Sequence, residues 1–268
     1  MRVSSLDAAT VCTSTGLDIV ACRGQSIFRV AHTEYGPINP PPRVPRRDPV
    51  EGWSRWDTAG RTIYGCTTAT GAMVEVLAYI QPDPPPIPLV ELFDDVDERD
   101  AETLAAQIAR ELPAHGAMKY QSISKGWRDA RSIYELSLPT SGWFVDITGA
   151  HTIATLTEQL GPTLLANNGI EQVTVSELTS SSEKFKSLTT GIATWIREQV
   201  TLFDGDRPHG IVYPSKWGTT LGHNYAMWLR RVDDQTGVDR IAQLDAVSIG
   251  RHTEPFIEAA RLRGMTIY

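Results

Sequence analysis

The sequence predicts a protein of the mixed α+β class. Segments with the two-residue alternation of β-strands and segments with helical spacing both occur, which predicts strands and helices in one chain. They do not follow one another in the strand–helix–strand repetition of a doubly wound parallel sheet. No G-x-G-x-x-G or G-K-[ST] phosphate loop is present either. The α+β class is therefore favoured over the α/β class.

The first predicted strand, residues 26–32 (SIFRVAH), carries a charge in an apolar setting. Side chains alternate between the faces of a strand, and both faces here are largely apolar. Arg29 is then directed into the protein or into a cleft. A buried guanidinium needs an anionic partner, since its desolvation costs several kcal/mol. The strand therefore predicts that Arg29 faces an anion.

The elements that follow are short strands and helices in no regular alternation. A strand at 61–67 precedes a helix at 69–80, in which Glu75 is a carboxylate among apolar residues. The remaining predicted elements are a strand at 142–148, a helix at about 152–160, a strand at 170–178, a helix at 186–200, strands at 210–215 and 224–230, and a last helix at 254–264 closed by Gly264.

Two proline-rich tracts, 36–49 and 81–88, predict extended surface loops. The acidic run 94–100 lacks the ligand pattern of a calcium loop. Because it precedes the amphipathic segment 101–113, it predicts the N-terminus of a helix.

The composition limits the classes of function. The chain has 268 residues, of which 41% are hydrophobic and 21% are charged, as in ordinary folded proteins. The formal net charge of −7 argues against a nucleic-acid binder, since such proteins usually carry a basic surplus. No apolar run approaches the roughly 20 residues that span a bilayer, so no membrane partner is expected. Residues 1–25 also lack the apolar core of a signal peptide.

The cysteines indicate a compartment. Cys12, Cys22 and Cys66 are odd in number and form no C-x-x-C motif. This pattern favours reduced thiols over a disulfide framework or a zinc site. We therefore expect a cytoplasmic protein without a bound metal.

Three further polar residues interrupt apolar segments as Arg29 does. Glu75 lies either on a narrow solvent-exposed stripe of its helix or in a cleft. Arg55, between two tryptophans in GWSRWD, is either a loop arginine stacked on tryptophan or a ligand-binding group. Ser215, at the end of the strand in GIVYPSKWG, is either a turn residue or a site residue. Its flanks differ from the G-x-S-x-G turn of an acyl-transfer nucleophile.

The order of these segments resembles the RES-domain family. SIFRVAH, an aromatic RWD loop, TIYGCTTATGAMVEVLAY, GWFVDIT and HGIVYPSKWG follow one another as that family's motifs do. The family is named after an Arg, a Glu and a Ser, and Arg29, Glu75 and Ser215 stand in those places. The chain departs from the pattern where PPPRVPRRDPVEGWS replaces a glycine-rich loop and where Asp57 replaces the common Asn.

The resemblance implies an ADP-ribosyltransferase-like fold, with small mixed or antiparallel sheets flanked by helices. It covers residues 26–232, which are expected to form the NAD-binding catalytic domain, with an insertion at about 89–140. Residues 1–25 are then an N-terminal extension, and residues 233–268 are a C-terminal extension with the terminal helix.

The resemblance also implies an enzyme that consumes NAD and acts as the toxin of a bacterial toxin–antitoxin pair. Members cleave the nicotinamide–ribose bond by hydrolysis or phosphorolysis, or they transfer ADP-ribose to a macromolecular acceptor. The implied partners are NAD as substrate, inorganic phosphate as one acceptor and a cognate antitoxin protein, and a homo-oligomer is one option. A non-catalytic binding module that retains the fold is the alternative from another class.

The implied catalytic residues are Glu75, Arg29 and Ser215, and Glu75 is the one that acts on the ribose. Its carboxylate can stabilise the oxocarbenium-like centre left at the ribose when nicotinamide departs, as carboxylates do in glycoside cleavage. It can also orient the attacking acceptor. Ser215 either binds the nicotinamide ribose or holds Glu75.

The implied substrate-binding groups are cationic and aromatic. Arg29 suits the NAD diphosphate because a guanidinium offers a planar fork of donors, and Arg55 is a second clamp. Tyr64 and Trp56 are candidates for stacking on the nicotinamide or its ribose.

Overall fold

A computed structural model of the chain describes residues 9–80, 122–170, 172–180 and 182–268, together with Thr103 and Gln107. Its elements confirm the mixed α+β class. The described strands are β1 (Thr10–Val11), β2 (Asp18–Ala21), β3 (Ser26–His32), β4 (Thr62–Cys66), β5 (Ser122–Ile123), β6 (Arg131–Ser137), β7 (Trp143–Asp146), β8 (Gly210–Pro214), β9 (His223–Trp228), β10 (Ala242–Ser248) and β11 (Thr266–Ile267). The described helices are α1 (Ala69–Ile80), α2 (Lys125–Asp129), α3 (Ala150–Asn168), α4 (Val175–Thr179), α5 (Lys186–Gln199), α6 (Arg230–Asp233) and α7 (Glu254–Leu262).

Most of these strands form one sheet, in the order β1-β2-β7-β8-β9-β4-β3-β6-β10. Strands β7 and β8 are parallel, and the other neighbours in this sheet are antiparallel. The small strands β5 and β11 pair in parallel beside it. The prediction of small sheets was wrong, because strands at both edges extend the sheet to nine. Those edge strands come partly from residues 1–25 and 233–268, which therefore contribute to the same sheet as residues 26–232.

The sheet is nearly divided between β3 and β4. Strand β3 pairs with β6 along its whole length and β4 pairs with β9, yet β3 and β4 are joined in the described structure only at Phe28 and Cys66. Gly65 permits this close contact, because a Cβ there would lie 2.6 Å from Ile27 Cδ1 and 3.1 Å from the Phe28 carbonyl oxygen. An opening in the sheet follows from this single junction.

The longer helices pack on one face of the sheet, in two groups. Apolar residues of α3 and α5 form a core with strands β2, β7, β8 and β9. Apolar residues of α1 and α7 form a second core with β3 and β6. On β4, Tyr64 packs against the first core and Cys66 belongs to the second, so the boundary between the helix groups lies over β4. The opposite face has its own core, which includes Phe144 and Tyr225.

The predicted elements are largely confirmed. The strand at 26–32 and the helix at 69–80 have the predicted bounds, and α3 is longer than predicted. The tract 36–49 is a loop, in which Arg43 forms an isolated bridge with Gly60. The tract 81–88 and the helix predicted over 101–113 lie outside the described residues, apart from Thr103 and Gln107.

One predicted strand was wrong. Residues 170–178 alternate in polarity, but within them Thr174 begins the short helix α4. The Thr174 side chain accepts a hydrogen bond from the backbone N–H of Ser176, in the first turn of the helix. The Glu177 side chain in turn accepts a hydrogen bond from the backbone N–H of Thr174. This capping box satisfies backbone donors locally, which favours a helix start over a strand.

Candidate functional site

A cleft lies at the opening between β3 and β4. It has a volume of about 200 Å³. The predicted site residues Arg29, Arg55, Tyr64 and Glu75 all line it. Tyr213 and Asn224 line it as well.

Glu75 is held in place by two donors. Helix α1 follows β4 directly and carries Glu75 in its second turn, where the carboxylate faces the cleft rather than bulk solvent. Its Oε1 accepts a hydrogen bond from Ser215 Oγ at 2.9 Å and another from Asn224 Nδ2 at 2.7 Å. Both donor residues are buried. Of the two roles predicted for Ser215, the structure therefore has it holding Glu75.

The loop after β8 is fastened to the start of α1, and this fixes Ser215 relative to Glu75. Thr68 Oγ1 donates to the Leu221 carbonyl at 2.6 Å and accepts from the Gly71 N–H at 3.0 Å. A side chain at Gly71 would clash with the Leu221 carbonyl oxygen, so glycine is required for this contact. The positions of the carboxylate and the hydroxyl thus depend on one shared turn.

Arg29 reaches across the opening in the sheet. Its Nη1 donates to the Tyr64 carbonyl at 2.9 Å, in the region where β3 and β4 no longer pair. Burial lowers the pKa of Arg29 to about 10, while Tyr64 and Asp57 favour its charged form, so the guanidinium stays protonated at neutral pH. Its Nε is buried without a hydrogen-bond partner in the described structure. The partner of Arg29 is therefore a backbone carbonyl and not Glu75, and its charge faces the cleft.

Asp57 organises the loop that presents Arg55. Its carboxylate accepts from Arg43 Nε at 2.8 Å, from the Ser54 N–H at 2.9 Å and from Tyr64 Oη at 2.8 Å. These bonds tie the loop to both the proline-rich tract and strand β4. A carboxylate suits this position, because all three of these partners donate.

Arg55 lies between a helix end and an aromatic ring. Its Nη1 donates to the Thr179 carbonyl at 2.6 Å, at the C-terminal end of α4, where unpaired carbonyls carry partial negative charge. Its guanidinium carbon lies 5.5 Å from the centre of the Tyr213 ring. The predicted aromatic contact of Arg55 is thus with Tyr213 rather than with tryptophan.

Trp56 does not line the cleft, in contrast to its predicted stacking role. Its side chain is fully buried in the core under α3 and α5 and lies 5.9 Å, ring centre to ring centre, from Tyr213. The Trp56 ring packs behind Tyr213, which lines the cleft. Its burial is favourable because it removes a large apolar surface from water.

Two residues of the site were missed by sequence reasoning. Asn224 is the second residue of β9 and shares a strand face with Ala226 and Trp228, both of which are buried. A polar residue on an apolar face was the same signal that drew attention to Arg29. Tyr213 gave no such signal, since an aromatic residue is ordinary in a buried strand.

Among the residues that the structure describes, no group of three or more His, Cys, Asp or Glu side chains could hold a metal ion. No helix in that part of the chain is long and apolar enough to cross a membrane. The chain matches no family model, no curated protein and no solved structure.

Proposed function

We propose that this protein is an enzyme that consumes NAD by cleaving its nicotinamide–ribose bond. The observation that carries the proposal is the Glu75 carboxylate, fixed by Ser215 and Asn224 in a cleft that also holds guanidinium groups. A fixed carboxylate suits a reaction that develops positive charge, and guanidinium groups suit a substrate that carries phosphates.

The chemistry requires one bond to break and one to form. The C1′–N bond breaks with its electron pair going to the pyridinium nitrogen, so nicotinamide leaves as a neutral molecule. An oxygen of water or phosphate bonds to C1′ and, in the case of water, releases a proton. The Glu75 carboxylate stabilises the positive ribose centre between these events and orients the attacking oxygen. Ser215 and Asn224 keep Oε1 directed, which leaves Oε2 for the substrate.

The remaining lining groups match other parts of the dinucleotide. Arg29 and Arg55 supply positive charge for its phosphates, since each engages carbonyl groups through Nη1 and retains further donors. The rings of Tyr64 and Tyr213 are held by their surroundings and offer aromatic surface for the nicotinamide or its ribose. A volume of about 200 Å³ suits the nicotinamide riboside end, with the rest of the dinucleotide outside the cleft.

We extend the proposal to a biological role, which rests on the order of the motifs along the chain. On the resemblance to the RES-domain family, the fold is ADP-ribosyltransferase-like and the protein is a cytoplasmic toxin with a cognate antitoxin. The mostly antiparallel sheet with an opening beside Glu75 supports this assignment.

The experiment that tests the function is direct. Purified protein is incubated with labelled NAD under three conditions: alone, with inorganic phosphate, and with macromolecules as acceptors. Free nicotinamide and the labelled ADP-ribose product are measured. Hydrolysis gives ADP-ribose, phosphorolysis gives ADP-ribose 1″-phosphate, and transfer moves the label to a macromolecule. An absence of nicotinamide release under all three conditions would leave a binding module and refute the enzyme. Expression in cells provides a second measurement, with depletion of NAD and growth arrest as the expected result.

A further inference from the structure

A second cavity, of about 280 Å³, lies at the opposite end of strands β8 and β9 from the cleft. Tyr213, near the end of β8, and Asn224, near the start of β9, line the cleft. His209, just before β8, and Trp228, the last residue of β9, line the second cavity instead, and the two linings share no residue. We call it the arginine cavity, after its lining residues Arg207, Arg230, Arg231 and Arg240.

The arginine cavity is positively charged in a protein that is acidic as a whole. Its four arginines stand against two carboxylates in the lining, Asp206 and Asp239, whereas the chain has a formal net charge of −7. Asp239 is committed to the backbone, since its Oδ1 and Oδ2 accept the N–H groups of Arg231 and Val232, each at 3.2 Å. Within the described part of the chain, none of the four arginines forms a salt bridge. The cavity therefore keeps a surplus of positive charge.

Arg230 is held in the cavity wall by neutral groups. Its Nη1 donates to the Arg197 carbonyl at 2.5 Å, and its Nη2 donates to the Pro208 carbonyl at 3.1 Å. Its guanidinium carbon lies 5.4 Å from the centre of the Trp228 ring, and its Nε is buried without a hydrogen-bond partner in the described structure. These contacts fix the position of the guanidinium but supply no negative charge. A half-buried cation of this kind is stabilised by an anionic partner.

The surroundings of Arg230 favour the addition of an anion. Loss of hydration and the like charges of Arg197 and Arg207 lower the pKa of Arg230 to about 10, and Glu198 and Asp234 offset these effects only in part. The guanidinium stays protonated at neutral pH, so the repulsion between these cations persists there. An anion bound among them would offset that repulsion.

The other arginines supply donors that can contact a ligand. The side chains of Arg207 and Arg240 are exposed, and neither forms a hydrogen bond with another residue that the structure describes. Arg231 donates through Nη1 to the Val238 carbonyl at 3.3 Å and retains further N–H groups. The cavity thus combines one fixed guanidinium with three that have donors available.

The uncharged wall of the cavity is fixed as well. His209 Nε2 lies 3.0 Å from the Ser141 carbonyl oxygen, which can only accept, so this nitrogen carries a proton. Gly142 allows the close approach of the two segments, because a Cβ there would lie 2.4 Å from the same nitrogen and its φ is +93°. The segments before β7 and β8 are therefore held together, which makes this wall a preformed part of the cavity.

We infer that the arginine cavity is a binding site for a small molecule that carries phosphate groups. Guanidinium groups bind phosphate oxygens through paired N–H donors, and several of them around one cavity match an anion with more than one negative charge. The volume of about 280 Å³ is close to the lower limit of small-molecule sites, roughly 300 Å³. The site is separate from the cleft, and the inference does not depend on the proposed function.

Calorimetric titration of the intact protein with inorganic pyrophosphate tests the inference. Arg207→Ala and Arg240→Ala are each expected to weaken binding about ten- to a hundredfold, because each removes a charge-assisted hydrogen bond to the probe. Both side chains are exposed, so both variants should fold. Arg251→Ala is the matched control, since Arg251 is an exposed arginine that lines neither cavity, and this variant should bind as wild type does.

Two further comparisons define the ligand and its place. Arg29→Lys alters the cleft alone and should retain a pyrophosphate site of wild-type affinity. Ribose 5-phosphate and inorganic phosphate, titrated in the same way, distinguish an esterified phosphate from the free anion. A loss of affinity for either of them in Arg207→Ala supports the site.

Several results would overturn the inference. They are no binding of pyrophosphate by wild type, unchanged affinity in both Arg207→Ala and Arg240→Ala, and a loss confined to Arg29→Lys, which would assign the probe to the cleft. An equal loss in Arg251→Ala would indicate a general effect of surface charge, and citrate bound as tightly as pyrophosphate would refute the preference for phosphate. Nicotinamide release is not a readout of these titrations, so their failure is distinct from failure of the proposed function.

Discussion

Glu75→Gln separates the charge of the site from its geometry. The Oε1 of Glu75 is an acceptor for Ser215 and Asn224, and the carbonyl oxygen of a glutamine can accept both hydrogen bonds at the same position. The substitution therefore removes the negative charge while the two donors keep their partner. We expect a folded protein that has lost most of its turnover.

The magnitudes follow from the contacts. Loss of a positioned electrostatic contact in a transition state costs about 10²–10³ in rate. Two charge-assisted hydrogen bonds become neutral ones, which lowers the free energy of unfolding by at most about 2 kcal/mol. Glu75→Ala differs, because it strands two buried donors and should cost roughly 1–3 kcal/mol for each. The two variants are thus expected to be similar in activity and different in stability.

The assay is nicotinamide release from NAD, with stability measured by urea unfolding. Glu158→Gln is the control, since Glu158 is an exposed glutamate on α3, away from the cleft. Release by Glu75→Gln at the wild-type rate would refute the catalytic assignment. An equal loss of stability in the Gln and Ala variants would refute the role of Ser215 and Asn224 as donors to Glu75.

Other perturbations have equally definite outcomes. Arg29→Lys keeps the charge but loses the planar fork, and should weaken NAD binding about ten- to a hundredfold by calorimetry. Arg29→Ala should fold but unfold at a lower urea concentration, because the Tyr64 carbonyl loses the hydrogen bond from Arg29 at a cost of about 1–3 kcal/mol. Normal stability and normal NAD affinity in both Arg29 variants would contradict these roles. Tyr64→Phe removes the hydroxyl that donates to Asp57 and should destabilise the protein by about 1–3 kcal/mol in urea unfolding. An unchanged urea midpoint would show that the loop around Asp57 does not depend on this hydrogen bond.

Sequence patterns predicted the parts of this protein in which local and tertiary preferences agree. Strand β3 and helix α1 have the predicted bounds, because apolar residues on both faces of the strand and apolar residues at helical spacing in the helix match the residues that are buried. Arg29 and Glu75 were recognised because each is a charge in such a pattern, and both line the cleft. Exceptions to a regular pattern were therefore more informative about the site than the pattern itself.

The parts that were missed depend on contacts between distant segments. Strand β10 is exposed at every position, so no buried face marks its pairing with β6. Asn224 acquires its role only from Glu75, which lies 149 residues away. Trp56 was a candidate for stacking on the nicotinamide only through the family resemblance, whereas the fold buries its ring behind Tyr213. Local sequence contains no information on such distances.

The role of Arg29 follows from the one place where the sheet fails to close. A guanidinium in the middle of a continuous sheet would be costly, since both neighbouring strands would occupy their carbonyl groups in the ladder. Here β3 and β4 pair only at Phe28 and Cys66, which leaves the Tyr64 carbonyl without a ladder partner from β3. Arg29 supplies that partner and, in doing so, places a positive charge at the opening. The opening in the sheet and the residue that bridges it therefore both lie at the cleft.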